Sequence, residues 1–336
     1  MFIVLLSYLY ITHLWMLRAR IANSNKELCA LLFGIFIFLA FRDSTTGDDT
    51  SNYIRIFHQI ESYNFSHSGI ELGYILYVII IKAIFKHYQF LFIFQALLVS
   101  YSIGYFIKKY AMKDVFLSIL LFVSIGLLAF HTTGLRQSMA MSLGLLSFCY
   151  FESGNKKKSI LFIILAFLFH RSAIVMCGPF IYAFLIKNVR IAHTAIFSIL
   201  CMLFVPLILP IFASFDDRWN MYAHVESTGN GFIMFSILLL ILFLSEMTKK
   251  KENYHQRMWR KMMHYNVILW CGRLVSRTFE RPVLYSFPFM MPLLINAITS
   301  LPDIHTRKVC RILSILLFSV FYVYRYHQTP YSLCFF

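Results

Sequence analysis

Residues Lys26–Phe57 read KELCALLFGIFIFLAFRDSTTGDDTSNYIRIF. The first half is an apolar run. The second half, from Arg42 onward, crowds three aspartates, two arginines and a glycine together. A stretch as apolar as Leu28–Phe41 is not stable in water, and a cluster as polar as Arg42–Asp49 is not stable in hydrocarbon. The junction at Phe41–Arg42 therefore marks the edge of an apolar phase.

The same alternation of apolar runs and short polar stretches continues to the other end of the chain. The protein has 336 residues, of which 59% are hydrophobic, and its mean hydropathy is +0.69. A soluble domain of this length has too little interior to hide that much apolar side chain. The expected fold is all-α, a polytopic integral membrane protein with no soluble domain. A β-barrel would show short alternating segments, and none are seen. Residues 1–336 read as a single transmembrane domain, with extracytoplasmic loops at 42–70 and 214–231.

A span needs about 20 apolar residues. The candidates are Phe2–Leu17, Leu28–Phe41, Leu72–Phe85, Gln89–Ile107, Val115–Phe130, Leu135–Phe151, Ile160–Ile186, Thr194–Phe212, Phe232–Ser245, Tyr265–Val275, Val283–Ile298 and Ile312–Tyr324. They predict about ten to twelve spans. Met1–Arg20 lacks a basic leader and a small-residue cleavage site, so it reads as a first span.

The net charge of +16 is gathered in short clusters beside apolar runs, as topogenic signals are. No basic face with interleaved aromatics lies free of those runs, which argues against nucleic acid as a partner. Lysines at 108–109, 113, 156–158 and 249–251 mark cytoplasmic loops, together with Arg18, Arg20 and Arg307. These positions agree only if Ile160–Ile186 enters and returns, broken at His170-Arg171. They also require that one segment between Glu71 and Ile107 does not cross. Leu72–Phe85 is the better candidate, because Lys82, Lys86 and His87 interrupt it. The remaining charged groups then face outward, on one side.

Seven cysteines lie mostly inside apolar runs with no CxxC pair, so they read as small buried hydrophobes. No metal motif, phosphate-binding loop, dinucleotide fingerprint or nucleophile elbow is present, and neither a metal nor a cofactor is expected.

Four stretches can carry chemistry. In Arg42–Phe57, Gly47 permits a turn with positive φ. Asp49, Thr50 or Ser51 can cap a short helix whose apolar side holds Tyr53, Phe57 and Ile60. Arg42 at the membrane edge can pair with an aspartate and an anion; a solvated loop leading into an interfacial helix is the plain alternative. In GLRQSMAM, Arg136 and Gln137 open a span. Arg136 either snorkels to the interface or offers its donor fork to phosphate oxygens. His170 and Arg171 interrupt an apolar stretch at a depth where ionisable groups are costly; His170 can bind a hydroxyl or accept a proton, or serve structure alone. Arg273, Arg277 and Arg281 recur at four-residue spacing and so can share one helix face. With Glu280 they make either an ion-pair network or an anion clamp.

Taken in order, these stretches resemble a known family. Arg42…Gly47-x-Asp49-Thr50-x-x-Tyr53 is similar to the signature of the EpsG-like branch of the Wzy polysaccharide polymerases. Glu71-x-Gly73-Tyr74, Gly134-Leu135-Arg136-Gln137 with Ala140, Phe169-His170-x-Ser172-Ala173, Arg281 with Tyr285, and Pro330-Tyr331 follow in the family's order. Asp48 stands where the family often has a small residue, so Asp48 and Asp49 both remain candidates for the carboxylate. Arg277 precedes Arg281 by one turn and shares its candidacy.

The resemblance implies a glycosyltransferase-type enzyme of the bacterial cytoplasmic (inner) membrane, working at its periplasmic face. Its donor is an oligosaccharide on undecaprenyl pyrophosphate, and its acceptor is a sugar hydroxyl of the next repeat unit, as in O-antigen synthesis. It implies Asp48, Asp49 or His170 as the catalytic base. It implies Arg42, Tyr53, Arg136, Gln137, Arg277 or Arg281, and Tyr285 as substrate-binding groups. The bilayer and a chain-length regulator are the implied partners. An O-antigen ligase would use the same donor. A flippase for the lipid-linked unit would distribute charge through a cavity with inverted repeats. A membrane O-acyltransferase would centre on His170.

Overall fold

The computed structural model describes residues 1–47, 49–60, 69–186, 190–213, 230–247, 254–276, 279–327 and 331–334. Asp48, Arg277, Pro330 and the 214–229 part of the second loop lie outside the described residues. The α-helices, in chain order, are α1 (Phe2–Arg18), α2 (Asn25–Ala40), α3 (Thr50–Gln59), α4 (Leu72–Phe85), α5 (Gln89–Tyr110), α6 (Val115–Ser124), α7 (Leu127–Thr133), α8 (Leu135–Glu152) and α9 (Lys156–Phe169). They continue as α10 (Cys177–Leu185), α11 (Ile191–Ala213), α12 (Asn230–Met247), α13 (Tyr254–Val275), α14 (Glu280–Leu284), α15 (Met290–Thr299) and α16 (Ile304–Tyr326). Among the described residues the only extended pairing is one isolated bridge between Arg42 and Leu333. The chain divides into two compact units, Met1–Ile174 with Pro302–Phe336, and Val175–Leu301.

The expected all-α membrane fold is what the chain adopts. Among the described residues three helices are by themselves long and apolar enough to cross a bilayer, and a fourth span forms if the bent pair α6–α7 is taken together. Other described apolar stretches, Phe2–Arg18, Leu72–Phe85, Ile191–Leu207 and Phe235–Glu246, are shorter. Helix α4 has 14 residues, and Ile160–Ile186 is broken at His170 between α9 and a 3-10 turn at Arg171–Met176. All seven cysteines are free; only Cys149 is buried, Cys29 is exposed and the other five are half-buried, so most are not the buried hydrophobes expected.

In the first unit the helix starts follow local capping chemistry. Ser24, Asp114, Asn155 and Asp303 each accept a backbone N–H from the first turn of α2, α6, α9 and α16, satisfying donors that a helix start leaves unpaired. Hydrogen bonds then give the direction of each helix. Gln95 on α5 bonds Ser138 on α8, and Lys109 at the far end of α5 bonds Ser153 just past the end of α8. Helices α5 and α8 therefore run parallel. Gln89 at the start of α5 donates to the Ala40 carbonyl at the end of α2, 2.6 Å away, so α2 runs against them. Ser147 on α8 donates to the Ser159 carbonyl of α9, which returns antiparallel.

This register sorts the charge. Lys26, Lys109 and Lys156–Lys158 lie at one end of these helices, and Arg42, Arg136 and His170 at the other. Helix α4 starts at the arginine end, and three residues after its last turn the chain enters α5 at that same end. Helix α4 therefore does not traverse the unit. Lys82 on α4 caps α3 by donating to the His58 and Ile60 carbonyls.

The α6–α7 break is made by Gly126 at φ +97°, a conformation that favours glycine. The two helices meet at 53°. Tyr326 spans the break: its hydroxyl accepts from Ala129 N (3.1 Å) and donates to Val123 O (3.2 Å). Backbone groups freed by a helix break at membrane depth need such a partner. The outward side of α16 carries Ile312, Leu313, Leu316 and Val320, all more than half exposed, as a lipid-facing stripe would be.

The second unit corrects one expectation. Arg273 and Arg281 do not share a helix face, because α13 ends at Val275 and α14 begins at Glu280; Arg277 lies outside the described residues. Pro282 supplies the reason. It lacks an N–H, and its ring clashes with the carbonyl four residues earlier, so the helix must restart with proline in its first turn.

Candidate active site

Glu71 holds the arginine end of the first unit together. It sits at the N-cap of α4, where its backbone oxygen accepts from Tyr74 N and Ile75 N, while its side chain makes no cap bond. The carboxylate instead reaches two distant groups. Oε1 accepts from His170 Nδ1 at 2.7 Å, and Oε2 accepts from Arg136 Nη1 at 2.5 Å. Arg136 Nη1 also donates to the Gly69 carbonyl at 3.2 Å.

Each partner is placed by its own helix. Arg136 occupies the first turn of α8, just after Gly134 at the α7–α8 corner. His170 is the first non-helical residue after α9, with extended backbone. Gly73 lets α4 and α9 meet: a Cβ there would lie 2.8 Å from the Leu168 backbone carbon and oxygen. Only a residue without a side chain permits that approach, and the approach sets Glu71 against His170.

Tyr74 and Tyr53 form the floor. Both are buried, their rings are 5.8 Å apart edge to face, and the Arg136 guanidinium lies 6.0 Å from the Tyr74 ring centre. The Arg136 charge also acts on the Tyr53 hydroxyl. Burial raises the pKa of that hydroxyl, and the Arg136 charge pulls part of it back.

Electrostatics decide the state of Glu71. Burial pushes its carboxyl up, but the His170 hydrogen bond and the Arg136 charge outweigh burial and hold it at about 2. The group is ionised at neutral pH and is a weak base. Because an ionised carboxylate only accepts, His170 Nδ1 must carry the proton of that bond. That leaves Nε2 as the ring nitrogen not held by the carboxylate, the arrangement in which a carboxylate orients a catalytic histidine.

The sequence-derived candidates are placed as follows. Arg136, His170 and Tyr53 come together at Glu71. Asp49 is exposed at the N-cap of α3 and is close enough to act on the Tyr53 hydroxyl electrostatically. Gln137 is buried in α8. Gly47 has φ +77°, and Tyr53, Phe57 and Ile60 are buried along α3 and its C-cap, as the spacing predicts; Asp49 takes the N-cap position without a side-chain cap bond.

Arg42 points inward and is fully buried. Its Nη1 donates to Gln95 Oε1 (2.9 Å) and the Leu39 carbonyl (3.1 Å), and its guanidinium lies 4.0 Å above the Phe92 ring centre. Its partners are thus an amide, a carbonyl and an aromatic face, not the aspartate expected from the sequence. In the second unit, Arg273 pairs with Glu280 at 3.1 Å, Arg281 is exposed and Tyr285 is buried. Asp48 and Arg277 lie outside the described residues.

Glu71 was not among the candidates read from sequence. The signal was available: an ionisable residue opening an otherwise apolar 14-residue helix meets the same criterion that singled out His170.

A model of the EpsG family matches residues 27–336, so nearly the whole chain belongs to the EpsG family, a Wzy-like polymerase family. No curated protein and no solved structure matches the chain.

Proposed function

We propose that this EpsG-family membrane protein polymerises glycan repeat units carried on undecaprenyl pyrophosphate, at the outer face of the bacterial cytoplasmic membrane. The growing glycan passes from its lipid carrier to a sugar hydroxyl of the next lipid-linked unit. The observation that carries this reading is one carboxylate shared between a histidine and an arginine, at the end of an apolar bundle whose chain belongs to this family.

In this reading His170 Nε2 takes the proton of the acceptor hydroxyl as its oxygen attacks the anomeric carbon. The new C–O bond forms as the anomeric C–O bond to pyrophosphate breaks, and the electron pair leaves with the pyrophosphate. Arg136 lies where a charge developing on that leaving group can be stabilised. Glu71 orients both groups and stays ionised. Asp49 and Tyr53 line the acceptor side. A chain-length regulator is the protein partner this function calls for. The lysine clusters at the opposite helix ends support an outward-facing site under the positive-inside rule.

The test is deletion of the gene, with size separation of the surface glycans, and an Arg136→Lys strain beside it. Loss of the polymer ladder with retention of single repeat units is expected in both, because lysine keeps the charge but lacks the planar fork. Loss of all repeat units after deletion would point to ligation or export instead. An unchanged ladder would overturn the reading for that glycan.

A further inference from the structure

We propose that the prenyl chain of the lipid-linked donor lies along the exposed side of α4, on the row Leu72, Leu76, Ile80 and Ile84. The identity of that lipid rests on the polymerase reading, and its path away from Glu71 on the exposed surfaces around the site.

The four side chains are exposed and recur every four residues, so they share one helix face. The other side of α4 is apolar too, with Tyr74, Ile75, Val78 and Ile81 buried. A helix that is apolar all round is one that is covered all round. Helix α3, at the same end of the unit, shows the contrast. Its exposed residues are Ser51, Asn52, Arg55, His58 and Gln59, all polar, as a water-facing side requires. A helix that crosses a bilayer turns apolar side chains to lipid along its length, which accounts for the exposed side of α9. Helix α4 does not traverse the unit, so crossing does not account for its row.

Position selects the occupant. Leu72 follows Glu71 directly, and the Glu71, Arg136 and His170 side chains all keep some exposure. The site therefore opens where the row begins. Helix α8, which carries Arg136, exposes no residue, and the exposed side of α3 is polar. An anionic lipid head held by the Arg136 fork thus has α4 as the apolar surface that adjoins it. At about 1.5 Å per residue the row is about 18 Å long, enough to seat several isoprene units.

The test uses the full chain in detergent and undecaprenyl pyrophosphate carrying a diazirine in its prenyl chain. Photolysis and peptide mapping are expected to mark 72–84. Excess unlabelled undecaprenyl pyrophosphate should remove the mark, and excess phospholipid should not. A mark on other helices alone, or one that phospholipid removes equally well, would mean bulk-lipid contact and overturn the proposal. Chain extension supplies a second measurement. In Leu76→Ala/Ile80→Ala, the ratio of kcat/KM for a long-chain donor to that for a two-isoprene donor should fall about tenfold, the scale of a lost apolar contact. Leu161→Ala/Ile164→Ala on α9 should keep the wild-type ratio. An unchanged ratio in the α4 variant, or an equal fall in the α9 variant, would also overturn the proposal. A wild type that takes the mark on 72–84 but extends no donor would sink the polymerase reading and leave the prenyl site standing.

Discussion

Glu71 and His170 are 99 positions apart in the chain, and their side chains meet at 2.7 Å. The contact joins the N-cap of one short helix to the residue that ends another. The same carboxylate holds Arg136, so one residue sets the orientation of a base and of a cation together.

Glu71→Gln is the most direct test of that arrangement. The amide keeps the shape and one acceptor, but loses the charge that fixes the His170 tautomer and offsets Arg136. Polymer formation is expected to fall by about 10²-fold or more, the range of a general-base contribution, with the protein still at normal level in the membrane. The measurement is the initial rate of chain extension on reconstituted protein. A rate within a factor of two of wild type would remove Glu71 from the mechanism.

Gly73→Ala should act without touching any reacting group. Its Cβ would lie 2.8 Å from the Leu168 backbone, and backbone yields less readily than a side-chain tip. Helix α4 must then move away from α9, at a cost of about 1–3 kcal/mol for forced overpacking. Thermal unfolding should register the loss. A crystal or cryo-EM structure of the variant should show Glu71 separated from His170. An unmoved pair would refute this account of the glycine.

The depressed pKa of Glu71 gives a signed pH prediction. The folded carboxyl titrates near 2 and the ordinary value is 4.5. The stabilisation from its ionised form is therefore complete above about pH 4.5 and is lost as pH falls toward 2. The Tm gap between wild type and Glu71→Gln should be constant from pH 7 down to about 5 and close below that. A gap that opened on acidification would contradict the ionised assignment.

Tyr326→Phe tests the α6–α7 break. Removing the hydroxyl leaves Val123 O and Ala129 N without their partner at the bend. Leaving a buried polar group unsatisfied costs about 1–3 kcal/mol. Backbone amides around residues 123–129 should exchange hydrogen faster, whereas those of α8 should not change. Equal exchange rates in the two proteins would mean that water or a neighbour already satisfies those groups.

Much of the local structure was legible in the sequence because its causes are local. Apolar length placed the helices, and the starts of α2, α6, α9 and α16 follow side chains within three residues of each cap. Gly47 was readable as a positive-φ turn, and His170 as a break, since each depends on one residue and its neighbours. Pro282 also carried a local instruction, against a continuous 273–281 helix, which four-residue spacing alone obscured.

The composition of the site was different in kind. That Glu71 is its centre depends on partners 65 and 99 positions away, and on a close approach that the missing side chain of Gly73 permits. Whether Arg42 faces the loop or the interior depends on Gln95 and Phe92, which lie on another helix. Sequence determined which segments become helices and which charges stand at their ends. Only the packing of those helices decided which charges meet, because an ion pair is a short-range contact between residues that chain order leaves far apart.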